Sequence, residues 1–149
     1  MRHIWSVLCR YAIEDRDSNN FSLIETLSQV SFKGDIPPER PIGLPISFHI
    51  VSQWRRGNDQ DRCDYPVQMR VIAPGDVELD SDELTAKLSA YDTCTTVFSS
   101  GSFRYTENGL YEFEISYRLG ERWIAVTRIP LNVIHDPAEP EEQESEPTE

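Results

Sequence analysis

GLYEFEISYRLGERWIAVTRIPLNVI, residues Gly109 to Ile134, decides the fold class. Tyr111, Phe113, Ile115, Tyr117 and Leu119 alternate with Glu112, Glu114, Ser116 and Arg118. That two-residue period is the signature of a strand with one face on a core and the other toward water. Gly120 lets the chain reverse, and Trp123 to Ile134 returns rich in β-branched residues. Pro130 lies within the return, and a proline is tolerated in a strand only where an edge or bulge needs no donor. The pair reads as a β-hairpin, and it contains no group that does chemistry.

Working outward, the same period recurs upstream. Trp5, Val7, Cys9, Tyr11 and Ile13 alternate with Ser6, Arg10 and Ala12, which predicts a first strand with the odd positions, Cys9 among them, in the core. Phe21 to Phe32 reads as a second strand whose parity slips at Leu23 and Ile24, as a bulge would cause. Leu23, Leu27 and Val30 also fit a helical stripe, but the flanking strands favour the extended reading. After a connector rich in Pro and Gly, Leu44 to Trp54 alternates as a third strand, and Tyr65 to Val71 as a fourth. Pro74 and Gly75 suit the centre of a type II turn. Between Asp80 and Tyr91, Asp80 and Glu83 resemble a capping box, while Leu84, Ala86, Leu88 and Ala90 alternate; we take strand. Thr93 to Phe98 has the Thr and Val content of a pleated surface, and Phe103 with Tyr105 a short strand. The count reaches about eight strands, spaced as in an all-β, antiparallel β-sandwich.

Residues Thr106 to Phe113 sharpen this reading. A turn ending in Gly109 precedes a strand whose first inward residue is Tyr111, which resembles the tyrosine corner of immunoglobulin-like sandwiches, and C2-like sandwiches share the Gly-x-Tyr-x-Phe pattern. The resemblance implies that Trp54 fills the centre of the core without a disulfide. It carries no function.

A chain of 149 residues suits one domain, and its 38% hydrophobic and 10% aromatic content is that of a water-soluble globule. No window has the apolar length of a membrane span or of a secretory leader. Cys9, Cys63 and Cys94 are odd in number and widely spaced, which suggests reduced thiols and a cytoplasmic protein. The net charge of −12 is uneven: Asp136 to Glu149 holds seven acids and no base, so this tail carries −7 and the remainder −5. With Pro137, Pro140 and Pro147 and almost nothing apolar, residues 136–149 read as a disordered acidic tail behind a domain of residues 1–135. Such acidity opposes docking on nucleic acid or an anionic membrane surface.

The opening Ile4-Trp5-Ser6-Val7-Leu8-Cys9, then Asp15, Asn19-Asn20 and Ser22-Leu23, resembles an uncharacterised family of bacterial domains, as do Gly109-Leu110-Tyr111 and Ile129-Pro130-Leu131. The resemblance implies one compact intracellular bacterial domain. It implies no activity and no functional residues.

Candidate chemistry is sparse. Asp15, Asp17 and Asn19 match the first three ligand positions of an EF-hand calcium loop. The match ends there, because Asn20 replaces the required Gly, Thr26 takes the place of the bidentate carboxylate, and Glu25 falls one position early. A cation site of sandwich loops would combine this loop with Asn58, Asp59, Asp61 or Asp64. The simpler reading is a polar hairpin turn in which Asn adopts the left-handed region. His3 falls at a disordered edge, His49 on an outward parity and His135 at the domain's end, none within a catalytic motif. Cys63 sits between Arg62 and Asp64, whose charges act oppositely on its thiol. No nucleophile elbow or phosphate-cradling glycine loop appears, so the sequence assigns no catalytic residue and no cofactor. It leaves a non-enzymatic intracellular module that meets a protein partner through sandwich loops or an edge strand, with homodimerisation through such an edge as one form. The alternative is a metal-dependent hydrolase or calcium-binding domain built on the Asp15 and Asp59 loops.

Overall fold

The computed structural model describes residues 1–137 and contains eleven strands. β1 (Arg2–Glu14), β2 (Phe21–Thr26), β5 (Phe48–Arg55) and β8 (Thr93–Ser100) form a four-stranded sheet in the order β2-β1-β5-β8. β3 (Gln29–Lys33), β6 (Tyr65–Ala73), β7 (Val77–Ala86), β10 (Gly109–Leu119) and β11 (Arg122–Asp136) form a second, ordered β3-β11-β10-β6-β7. β4 (Ile42–Leu44) and β9 (Phe103–Tyr105) pair on their own. Every pairing is antiparallel except β3 with β11. Leu8, Ile50, Trp54 and Phe98 from one sheet share a single core with Val67, Tyr111, Phe113 and Val133 from the other. The molecule is thus a β-sandwich.

The deciding hairpin forms as its sequence dictates, although Leu119, expected on the inward row, is 52% exposed. Tyr111, Phe113 and Ile115 are fully buried. Gly120, at φ +64°, takes the first central position of a two-residue turn, with Leu119 opposite Arg122. Pro130 faces Glu112, just short of the stretch from Asn132 onward where β3 joins β11, so its missing N–H leaves no partner unserved. Pro74 and Gly75 occupy the β6–β7 turn, with Gly75 at φ +83°. The tyrosine corner is realised in detail. The Tyr111 hydroxyl accepts from the amides of Thr106 at 2.9 Å and Glu107 at 3.1 Å and donates to the Glu107 carbonyl at 2.7 Å.

Several expectations are corrected. The strand count is eleven rather than about eight, and two of the expected runs are each divided in two. Phe21 to Phe32 is β2 and β3, which lie in different sheets: Leu27 enters the core and the chain crosses over, and the bulge signal reflects this crossing and the left-handed Glu25. Leu44 to Trp54 is broken after Leu44, where Pro45 has no donor to offer, giving β4 and β5. The parity of β1 is opposite to the expected one. Leu8 is in the core, while Tyr11 and Ile13 are 53% and 55% exposed. Cys9 is fully buried, as expected, but outside the core cluster, on the outer side of the sheet beside Val51. Asp136 belongs to β11, paired with Lys33, so the domain extends past His135. The expected disorder of the acidic tail falls, beyond Pro137, outside the described residues.

The outer face of the five-stranded sheet is less watery than alternation suggests. Glu114 is 6% exposed and lies under two guanidinium groups, Arg70 at 2.7 Å and Arg128 at 2.8 Å. Glu78 on β7 completes an alternating ladder through its 3.2 Å contact with Arg70. Burial alone would raise the Glu114 carboxyl, but the hydrogen bonds from Arg70 and Arg128 outweigh it and hold it below the ordinary glutamate value. A depressed folded-state value gives stability that is present above the unfolded value and lost as pH falls through the folded one. Glu114→Gln should therefore cost about 1–2 kcal/mol at neutral pH, since both arginines are part-exposed and screened. The difference from wild type should narrow as pH drops below about 4.5. Thermal unfolding across pH 7 to pH 3 measures this, and a gap that widens on acidification would contradict it.

Candidate functional site

The β1–β2 hairpin is the element that makes a site. Its turn is shaped locally: the Asp15 carboxylate accepts the Asp17 amide at 2.9 Å, and Asn19 takes φ +57°. These amide hydrogen bonds, from Asp17 and then Ser18, lower the Asp15 carboxyl below its usual value. The hairpin leans back over the outer side of the four-stranded sheet, so that Asn20, Phe21 and Leu23 share a cavity of about 320 Å³ with Trp5, Gln53 and Thr95. Beside it opens a larger cleft of about 740 Å³. One wall is Glu14, Asn19 and Phe21 of the hairpin, the other is Thr85, Lys87 and Tyr91, and Thr93, Cys94, Thr95 and Val97 of β8 line the space between.

The far wall is braced by side chains that sequence reading passed over. Arg56 is the second of two adjacent arginines, Arg55 and Arg56. Its guanidinium donates to the carbonyls of Leu88 at 2.7 Å and Ser89 at 3.0 Å and pairs with Asp92 at 2.7 Å, which ties down the β7–β8 connection. Asp64 accepts the Ser89 amide at 2.9 Å, and that hydrogen bond lowers its carboxyl. Two of the three acceptors of Arg56 are main-chain carbonyls, which leave no trace in a sequence. The slot is therefore held by fixed groups on this side.

The residues proposed for metal binding have other occupations. Asp15 caps its own turn, with Asp17 exposed beside it. Asp61 receives the Met1 amine at 2.9 Å, the Gly57 amide at 3.2 Å and the Tyr65 hydroxyl. The Tyr65 hydrogen bond and then the Met1 amine pull the Asp61 carboxyl down to about 2, and the same contact pushes Tyr65 up to about 12. Asn58 accepts the amides of Gln60 and Asp61, both at 2.9 Å, and caps the loop in which Asp59 stands. Among the described residues, no three of His, Cys, Asp and Glu stand together in a way that could hold a metal ion.

The histidines are scattered. His3 lies in β1, not at a disordered edge; it packs on Trp54, with ring centroids 5.2 Å apart, and its Nε2 lies 2.7 Å from Ser6 Oγ, which contacts Ser52 Oγ at 2.6 Å. Burial lowers its pKa, which favours the neutral imidazole. His49 meets Ser99 at 2.7 Å on the outer face, and His135 stacks on Phe32 at 4.8 Å. Cys63 is exposed, and Cys94 is half-buried in the cleft.

Fold and cleft together define a β-sandwich with an overhanging hairpin and an open groove. Compared with known families and curated proteins, the sequence matches no family model and no curated relative. Among the described residues no helix is long and apolar enough to cross a membrane.

Proposed function

We propose that this protein is a non-enzymatic binding or assembly module that engages a protein partner in the cleft beside β8. The observation that carries this reading is the contrast among the four edge strands of the two larger sheets. β7 bears Glu78, Asp80, Asp82 and Glu83, β2 bears Glu25 and β3 bears Lys33, whereas β8, Thr-Cys-Thr-Thr-Val-Phe-Ser-Ser, has no charge and no proline. Charged edge residues discourage unwanted strand pairing, so an unguarded edge beside a formed cleft is a surface kept for pairing. Three free thiols support a reducing compartment, which the proposal takes as the cytoplasm. The likeness of the Ile4 to Cys9 opening to an uncharacterised bacterial family supports a bacterial host and adds no activity.

The test is photo-crosslinking in the native host. A benzoyl-phenylalanine placed at Thr95, inside the cleft, should give a discrete adduct with another protein. The same probe at Ser81, on the acidic outer edge, should not. Equal labelling at both positions, or none at Thr95, would overturn the reading.

A further inference from the structure

We infer that the occupant of the cleft is an extended, cationic peptide segment of a partner protein, added as a further strand on the free edge of β8. This rests on the binding reading above and names its ligand. β8 is matched residue by residue to β5, from Thr93 opposite Arg55 to Ser100 opposite Phe48, and it is the last strand of its sheet. Among the described residues no strand pairs with its other row of amides and carbonyls, which can receive one arriving about 4.8 Å away.

The geometry favours a single strand. The hairpin wall with Phe21 and the braced connection with Tyr91 flank β8, so the space admits one extended segment more readily than the edge of a second sandwich. Its 740 Å³ lies within the roughly 300–1,000 Å³ range of ligand-binding clefts. Side chains of an incoming strand alternate, so one set would meet Phe21 and Val97, both half-buried apolar groups. Charge selects the class. Among the residues lining the cleft the acids Glu14 and Asp92 outnumber the single base Lys87, and the Asp92 carboxylate stays exposed although Arg56 pairs with it. The chain's net −12 steers a basic segment inward, whereas a second copy would bring −12 against −12.

A random heptapeptide library displayed on phage, selected on the full chain, tests this. The expected winners carry Lys or Arg with alternating β-branched or aromatic residues. The best one, made synthetically, should slow exchange at alternate β8 amides and bind more weakly as salt rises. Val97→Arg should weaken it at least tenfold and Glu14→Lys at least threefold, with thermal unfolding of both variants near wild type. The inference is overturned if no peptide is enriched, if the winners are acidic, or if a bound peptide leaves β8 exchange unchanged. A chain that sediments as a dimer with β8 already protected would overturn it too, in favour of a second copy. Because the Thr95 crosslink reports any protein partner, it can succeed while this strand-specific inference fails.

Discussion

Trp54→Ala is expected to cost the domain about 4–6 kcal/mol of stability. Trp54 is fully buried where the two sheets meet, and its indole touches His3 of β1 and Tyr117 of β10. Its Nε1 donates to Thr96 Oγ1 at 2.9 Å, and Thr96 is itself 5% exposed. Truncation leaves a cavity that rigid sheets on both sides cannot close, and it strips a buried hydroxyl of its partner. A cost of about 3–5 kcal/mol follows from the lost burial and the cavity together, with about 1 kcal/mol more for the orphaned hydroxyl. A domain of this size has about 5–15 kcal/mol in total. Urea unfolding followed by far-ultraviolet circular dichroism measures the loss, and a loss below about 2 kcal/mol would mean that Trp54 is not the centre of the sandwich.

Tyr111→Phe removes one oxygen and should cost about 2–3 kcal/mol, far more than the usual effect of that change. The ring still fills its place against Phe103, whose centroid is 5.0 Å away, so packing is unchanged. What is lost is the single acceptor of two amides and the donor to the Glu107 carbonyl, groups that fix the connection between β9 and β10. Tyr11→Phe is the matched control, because Tyr11 is 53% exposed and the Tyr11 change should be nearly silent. If the two variants melt together, the corner is ornamental.

How far the sequence carried depended on how local the deciding physics was. Gly120, the alternation of Tyr111 to Tyr117 and the Gly109-x-Tyr111 corner are each settled within a few residues, and all three fold as read. Trp54 was placed in the core through the likeness to immunoglobulin-like sandwiches, and it is fully buried there. The division of residues 21–32 was not legible as such, because Leu27 is apolar whether a strand bulges or crosses between sheets. Pro45, by contrast, announced a break that a run of alternate apolar residues concealed. As for the site, the Asp15 turn and its left-handed Asn19 were readable, since an Asx turn is short-range. The Arg56 clamp was not, since it closes on carbonyls 32 and 33 residues away.

The sequence by itself determined that the chain is a β protein, where its tight turns fall, and that Trp54, Tyr111 and Phe113 face inward. Only the tertiary structure decided which side of β1 is the inside. Period-two patterning shows that a strand has one apolar side but not what covers it, and here two layers compete for the cover. The second sheet takes Leu8, while the folded-back hairpin leans over the side that holds Trp5, Val7 and Cys9. The same folding back creates the groove beside β8, because a hairpin bent over its own sheet juxtaposes Phe21 and Thr95, which are far apart in the chain and share no sequence signal.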